Sequence, residues 1–111
     1  MITQPPYEMR CQNSQLVNKL SQSDIDTYIT QYLPNWHFNN LNHVIVRKFE
    51  FKNFKQTMFF INAVAFICEK ECHHPDVKFG YNYCEIALST HDISGISIND
   101  IIIATKIDRL M

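Results

Sequence analysis

Asn53-Phe54-Lys55-Gln56-Thr57-Met58-Phe59-Phe60-Ile61-Asn62-Ala63-Val64-Ala65-Phe66-Ile67-Cys68-Glu69-Lys70-Glu71-Cys72 is the stretch on which the fold turns. Within it Phe54, Met58, Ile61, Ala65, Cys68 and Cys72 recur at steps of 4, 3, 4, 3 and 4. That spacing returns to one side of a 3.6-residue helix. Asn53 is a good N-cap, and Pro75 stops the helix because the residue before a proline avoids the α region. The stripe predicts that Cys68 and Cys72 are small core residues. Phe59, Phe60, Val64, Phe66 and Ile67 widen the apolar surface beyond one face, so this helix needs cover on more than one side.

Working outward, the flanks alternate with a period of two. Trp36-His37-Phe38 reads as a short aromatic strand, Asn39-Asn40-Leu41-Asn42 as a turn, and His43 to Phe51 as a second, β-branched and aromatic strand. On the far side, Val77, Phe79 and Tyr81 alternate with polar neighbours. A turn near Asn82 leads into Cys84, Ile86, Leu88 and Thr90, with His91 at the strand's end. Ser23-Asp24 caps a short helix running to about Leu33, and Ser97 begins an isoleucine-rich C-terminal helix with Asp100 as the acidic partner of a capping box.

The order is α-β-β-α-β-β-α. Strands paired as hairpins with helices between them predict an α+β single domain: a four-stranded antiparallel sheet with its helices packed on one face. Residues 1–20 form a polar lead-in of uncertain order, and residues 21–111 the domain.

Composition bounds the function. At 111 residues there is room for one core and none for a separate cofactor-binding domain. The net charge of -1 provides no basic field for nucleic acid. No apolar run reaches the roughly 18 residues of a membrane span, and no basic region precedes an apolar one at the N-terminus. Four cysteines without scaffold density read as free thiols in a reducing cytoplasm. Charged residues are only 19%, which predicts that part of the surface is covered in an oligomer.

The chemical information lies in Glu69-Lys70-Glu71-Cys72-His73-His74-Pro75-Asp76. If the helix persists to His73, Glu69 lies four residues back on the same face and can fix the imidazole tautomer. The helix C-terminus favours the imidazolium form. Histidine's ordinary pKa, about 6.5, suits proton transfer in both directions near neutrality. If His91 meets the helix end, three histidines form one acid/base site. The plainer alternatives are a solvated pair of histidines capping a helix, a strand-end His91 at the surface, and an Asp100 that only caps. A zinc site is disfavoured, because the Cys/His spacing is not that of a zinc finger. His37 and His43 carry no assigned role.

Taken together these residues resemble the pterin-4a-carbinolamine dehydratase family. The pattern is Glu69, His73-His74-Pro75, Tyr81, His91 and Asp100, supported by Leu88-Ser89-Thr90-His91-Asp92 with Gly95 and by the aromatic run Phe49 to Phe54. It covers roughly Ser21 to the C-terminus.

The resemblance implies loss of water from 4a-hydroxytetrahydropterin with no metal or organic cofactor, in a homodimer or homotetramer. It also implies a functional link to an aromatic amino-acid hydroxylase. It places His73 and His91 as the acid/base pair, His74 on the pterin and Glu69 behind His73. Pro75, Thr90 and Asp100 fall on the substrate side. Asn99 departs from the arginine that vertebrate members often carry there. The alternatives are a protein-interaction module, since the family includes members that stabilise a dimeric transcription factor, and a divergent homologue in molybdopterin-related metabolism.

Overall fold

Asn53 caps the long helix as its side chain accepts from the Gln56 N–H, and helix α2 runs Phe54–Glu71. The computed structural model describes residues 4–111; the first three residues of the lead-in lie outside the described residues. Before α2 come helix α1 (Gln22–Tyr32), strand β1 (His37–Asn39) and strand β2 (Val44–Glu50); after it come β3 (Asp76–Phe79), β4 (Tyr83–Leu88) and helix α3 (Ile98–Asp108). The strands form one antiparallel sheet in the order β1-β2-β4-β3. Two hairpins are thus joined through their second strands, with β1 and β3 at the edges.

The sheet buries one face. Ile45 and Phe49 of β2 and Cys84, Ile86 and Leu88 of β4 point into the core, while Lys48 and Glu50 are exposed. The same cluster holds Ile25 of α1, Phe60, Val64 and Cys68 of α2, and Ile101, Ile103, Ala104 and Ile107 of α3. All three helices therefore lie on that face, as the α+β reading expects. Each fully buried aliphatic or phenyl side chain is worth roughly 1.5–3 kcal/mol. Helix α3 is buried almost all round, from Asn99 to Thr105 and at Ile107. The sheet and α2 cover one side; residues before α1 help to cover the rest, with the Tyr7 ring 4.0 Å from the Arg109 guanidinium.

Several boundaries move. Ser21, not Ser23-Asp24, caps α1, accepting from the Asp24 N–H. Trp36 is not in a strand; it is 1% exposed in the core, with its indole N–H donating to Asp108 at 2.9 Å. Asp108 also accepts from Arg47 at 2.7 Å. Strand β4 ends at Leu88, so His91 falls in a short 3-10 turn, His91–Ile93.

The core stripe of α2 is the largest correction. The buried residues are Thr57, Phe60, Val64, Cys68 and Glu71, so the face is turned from the one that Phe54, Met58, Ile61 and Ala65 define. Cys72, expected in the core, is exposed. The polar pair on the buried stripe is satisfied: Thr57 Oγ1 donates to the Asn53 and Tyr81 carbonyls at 2.9 and 3.0 Å. The opposite face leaves Phe59 67% and Phe66 72% exposed.

Candidate active site

The end of α2 arranges the site. Cys72 takes a left-handed conformation (φ 55°), which is uncommon without glycine. The Cys72 N–H bonds back to Glu69 O, and the His73 N–H to Cys68 O at 3.1 Å. These two bonds make a Schellman closure. The helix stops before His73, so the expected face shared by Glu69 and His73 does not form. The two histidines leave in different directions instead.

His73 turns inward and is 6% exposed. Its Nε2–H donates to Asp100 Oδ1 at 2.6 Å. Asp100, 0% exposed, is fully satisfied: Oδ2 accepts from the Thr90 hydroxyl at 2.8 Å and the Ser97 N–H at 2.9 Å. Thr90 and Ser97 share a further hydroxyl bond of 2.7 Å. The capping box read from Ser97 and Asp100 is present, and the capping carboxylate also reaches the histidine. Among the described residues Asp100 is the one hydrogen-bond partner of the His73 ring, which engages it through Nε2, and His73 also lines a cleft.

His74 turns outward. Its Nε2 meets Glu69 Oε2 at 2.9 Å, with both side chains largely in solvent. Glu69 therefore accompanies His74, not His73. It lines an apolar groove with Val64, Cys68 and Val77 behind His74.

His73, His74, Pro75, Thr90 and His91 line one open cleft of about 280 Å³, together with Cys72, Asp76, Ser89, Asp92 and Ser14. Ligand pockets commonly span roughly 300–1,000 Å³, so this one suits a single small molecule. Asp100 lies behind His73 and does not line it. Among the described residues no group of three or more His, Cys, Asp or Glu is placed to hold a metal ion.

The pterin 4 alpha carbinolamine dehydratase family model matches residues 18–110. The chain belongs to this family. A dehydratase relative of Legionella pneumophila, provisionally so named, is 44% identical over 92 residues, covering 83% of this chain and 81% of its own. Another from Nitrosospira multiformis, named in the same provisional way, is 48% identical over 91 residues, covering 82% and 78%. Among solved structures, a transcriptional coactivator/pterin dehydratase from Brucella melitensis superposes with a TM-score of 0.79 at 29% identity, covering 84% of this chain and 98% of that one. A pterin dehydratase-like protein described as a RuBisCO assembly factor in the alpha-carboxysome gives 0.60 at 26%, covering 68% and 88%.

Sequence reasoning gave Ser14 and Cys72 no place in this cleft, and it named Asn99 only as a departure from the family's arginine. Ser14 lies in the lead-in, where nothing in its neighbourhood signals a role. Cys72 was assigned to the core. Asn99, 1% exposed, pairs with the backbone of Gln12 in both directions, its Oδ1 accepting at 2.9 Å and its Nδ2 donating at 2.8 Å.

Proposed function

We propose that the protein dehydrates 4a-hydroxytetrahydropterin to quinonoid dihydropterin by histidine acid/base catalysis. The observation that carries this reading is the meeting of His73, His74 and His91 at one cleft, with His73 backed by a buried carboxylate. In the reaction the C4a–O bond breaks and the hydroxyl leaves as water after taking one proton. N5 loses one proton, and its electron pair forms the C=N bond of the product. His91 gives the proton to the leaving oxygen and His73 Nδ1 takes the proton from N5. Solvent then resets both.

Asp100 fixes the His73 tautomer, and the charge His73 gains lies against that carboxylate. His74, steadied by Glu69, holds the pterin, and Pro75 and Thr90 shape the wall. This chemistry asks for no metal or organic cofactor. The role that fits is cytoplasmic recycling of the pterin used by an aromatic amino-acid hydroxylase.

The test is the dehydration rate of 4a-hydroxytetrahydropterin. The wild type is expected to exceed the spontaneous reaction, and His73→Ala and His91→Ala to lose about 10²–10⁴ each. A wild type no faster than the uncatalysed reaction refutes the reading. Folded variants at full rate refute the assignment of the two histidines.

A second reading, a protein-interaction role, draws on the exposed Phe59 and Phe66 and on the coactivator and assembly-factor names of the two structural relatives. In the simplest form this face meets further copies, as a homodimer or homotetramer. Light scattering of the wild type and of Phe66→Lys checks it, a monomer in both being the adverse result.

A further inference from the structure

Residues 10–14 lie outside the span that the family model matches, yet polar contacts tie them to the domain. Buried Asn99 grips the Gln12 backbone at both its N–H and its carbonyl. The Cys11 N–H donates to Glu71 Oε1 at 2.8 Å. The other Glu71 oxygen accepts from Lys106 at 2.8 Å and forms an ion pair with the Arg10 guanidinium at 3.1 Å. Further along, the Leu20 N–H donates to the Ile96 carbonyl at 2.8 Å. Ser14 follows this anchorage by two residues. Its hydroxyl donates to the Asp92 carboxylate, and it stands in the wall of the histidine cleft.

The opposite party is closed at its base by a backbone bridge between Thr90 and Gly95, and its other bonds are its own. His91 sits on a turn whose backbone bonds, Ile93 N–H to Thr90 O and Ser94 N–H to His91 O, stay local. The turn ends at Ser94 in the left-handed region (φ 50°). Among the described residues, the Ser14–Asp92 bond is the one hydrogen bond that ties residues 91–94 to a distant part of the chain. His91 is exposed, and among the described residues no hydrogen bond holds its ring.

We propose that Ser14 is a positioning residue: through Asp92 it tethers the turn that presents His91 to the cleft. A segment outside the family span thereby completes the acid/base site. The kinetic consequence rests on the dehydratase reading; the tether itself does not.

The experiment compares wild type, Ser14→Ala, Ser14→Thr and Asn99→Ala by NMR and by the dehydration assay. In Ser14→Ala the amides of residues 91–94 are expected to exchange about tenfold faster and the His91 ring resonances to shift. The rate constant kcat is expected to fall about tenfold with KM little changed, the penalty of a misplaced group. Ser14→Thr, which keeps the hydroxyl, restores both. Asn99→Ala, which frees Gln12, loosens the same amides. Unchanged His91 resonances and exchange in Ser14→Ala overturn the tether whatever the activity. Altered resonances with an unchanged kcat overturn the positioning role. A wild type without activity whose His91 still responds to Ser14→Ala supports the tether and refutes the dehydratase reading.

Discussion

His73 and Asp100 stand 27 positions apart in the chain, yet Nε2 and Oδ1 meet at 2.6 Å in a site closed to solvent on the aspartate side. The second Asp100 oxygen serves the start of α3 through Ser97 and Thr90. One carboxylate thus sets an imidazole tautomer and caps a helix. Asp100→Asn keeps the shape and loses the charge. It is expected to cut the dehydration rate by about 10²–10⁴ and to destabilise the fold by about 1–3 kcal/mol. Kinetics and urea unfolding on the same preparation measure both; a full rate would detach Asp100 from the chemistry.

Glu69 gives the opposite forecast. Its pair with His74 lies in solvent, where such contacts contribute about 0–1 kcal/mol. Glu69→Gln is expected to leave stability within about 0.5 kcal/mol and the rate within about fivefold. A loss as large as that of Asp100→Asn would make the Glu69–His74 pair essential to the reaction and contradict this forecast.

The four thiols divide by access. Burial pushes Cys11 and Cys68 up to about 12 and Cys84 up to about 11, the Glu71 charge adding to the effect at Cys11. Thiolate is the reactive form, so these three are expected to be inert at pH 7.5 in the folded protein. Cys72 is exposed and lines the cleft. A bulky thiol reagent is expected to modify Cys72 first and to block dehydration, with mass spectrometry counting one label. Early labelling of Cys68 would show that α2 opens.

Glu71 contributes a pH-dependent part of the stability in acid. Burial acts to raise its carboxyl, but the hydrogen bonds from Lys106 and the Cys11 N–H and the charges of Lys106 and Arg10 outweigh it, holding it below the ordinary glutamate value. The unfolded chain therefore takes up this proton first as pH falls. The stabilisation is complete above the ordinary value of about 4.3 and is lost as pH drops through the lower folded value. Urea unfolding from pH 7 to pH 3 is expected to show a steeper decline for wild type than for Glu71→Gln, the two converging in acid. Parallel curves would contradict it.

Local signals in the chain carried the fold. Asn53, Ser97 and Asp100 announce helix starts by chemistry that acts within four residues, and the alternation of Cys84, Ile86 and Leu88 marks a half-buried strand. Helix α2 resisted because apolar residues surround it; periodicity then selects no face. The buried stripe includes Thr57 and Glu71, whose partners, Tyr81, Cys11 and Lys106, come from distant segments. The histidines were legible as a group. Their partners were not, because the exchange of Glu69 for Asp100 depends on a helix end made at a non-glycine residue. Ser14 was illegible altogether, since its place follows from what Asn99 does to Gln12.

Consider Cys72 once more. Its left-handed backbone sends two neighbouring imidazoles to opposite climates, one dry against an aspartate and one wet beside a glutamate. A β-branched residue there would resist that hand of twist and favour one more helical residue. His73 would then rotate outward over Glu69, and Asp100 would be left facing an empty place. The division of labour between identical side chains is thus written in a torsion angle, and a substitution at a position with no acid/base role of its own could exchange them.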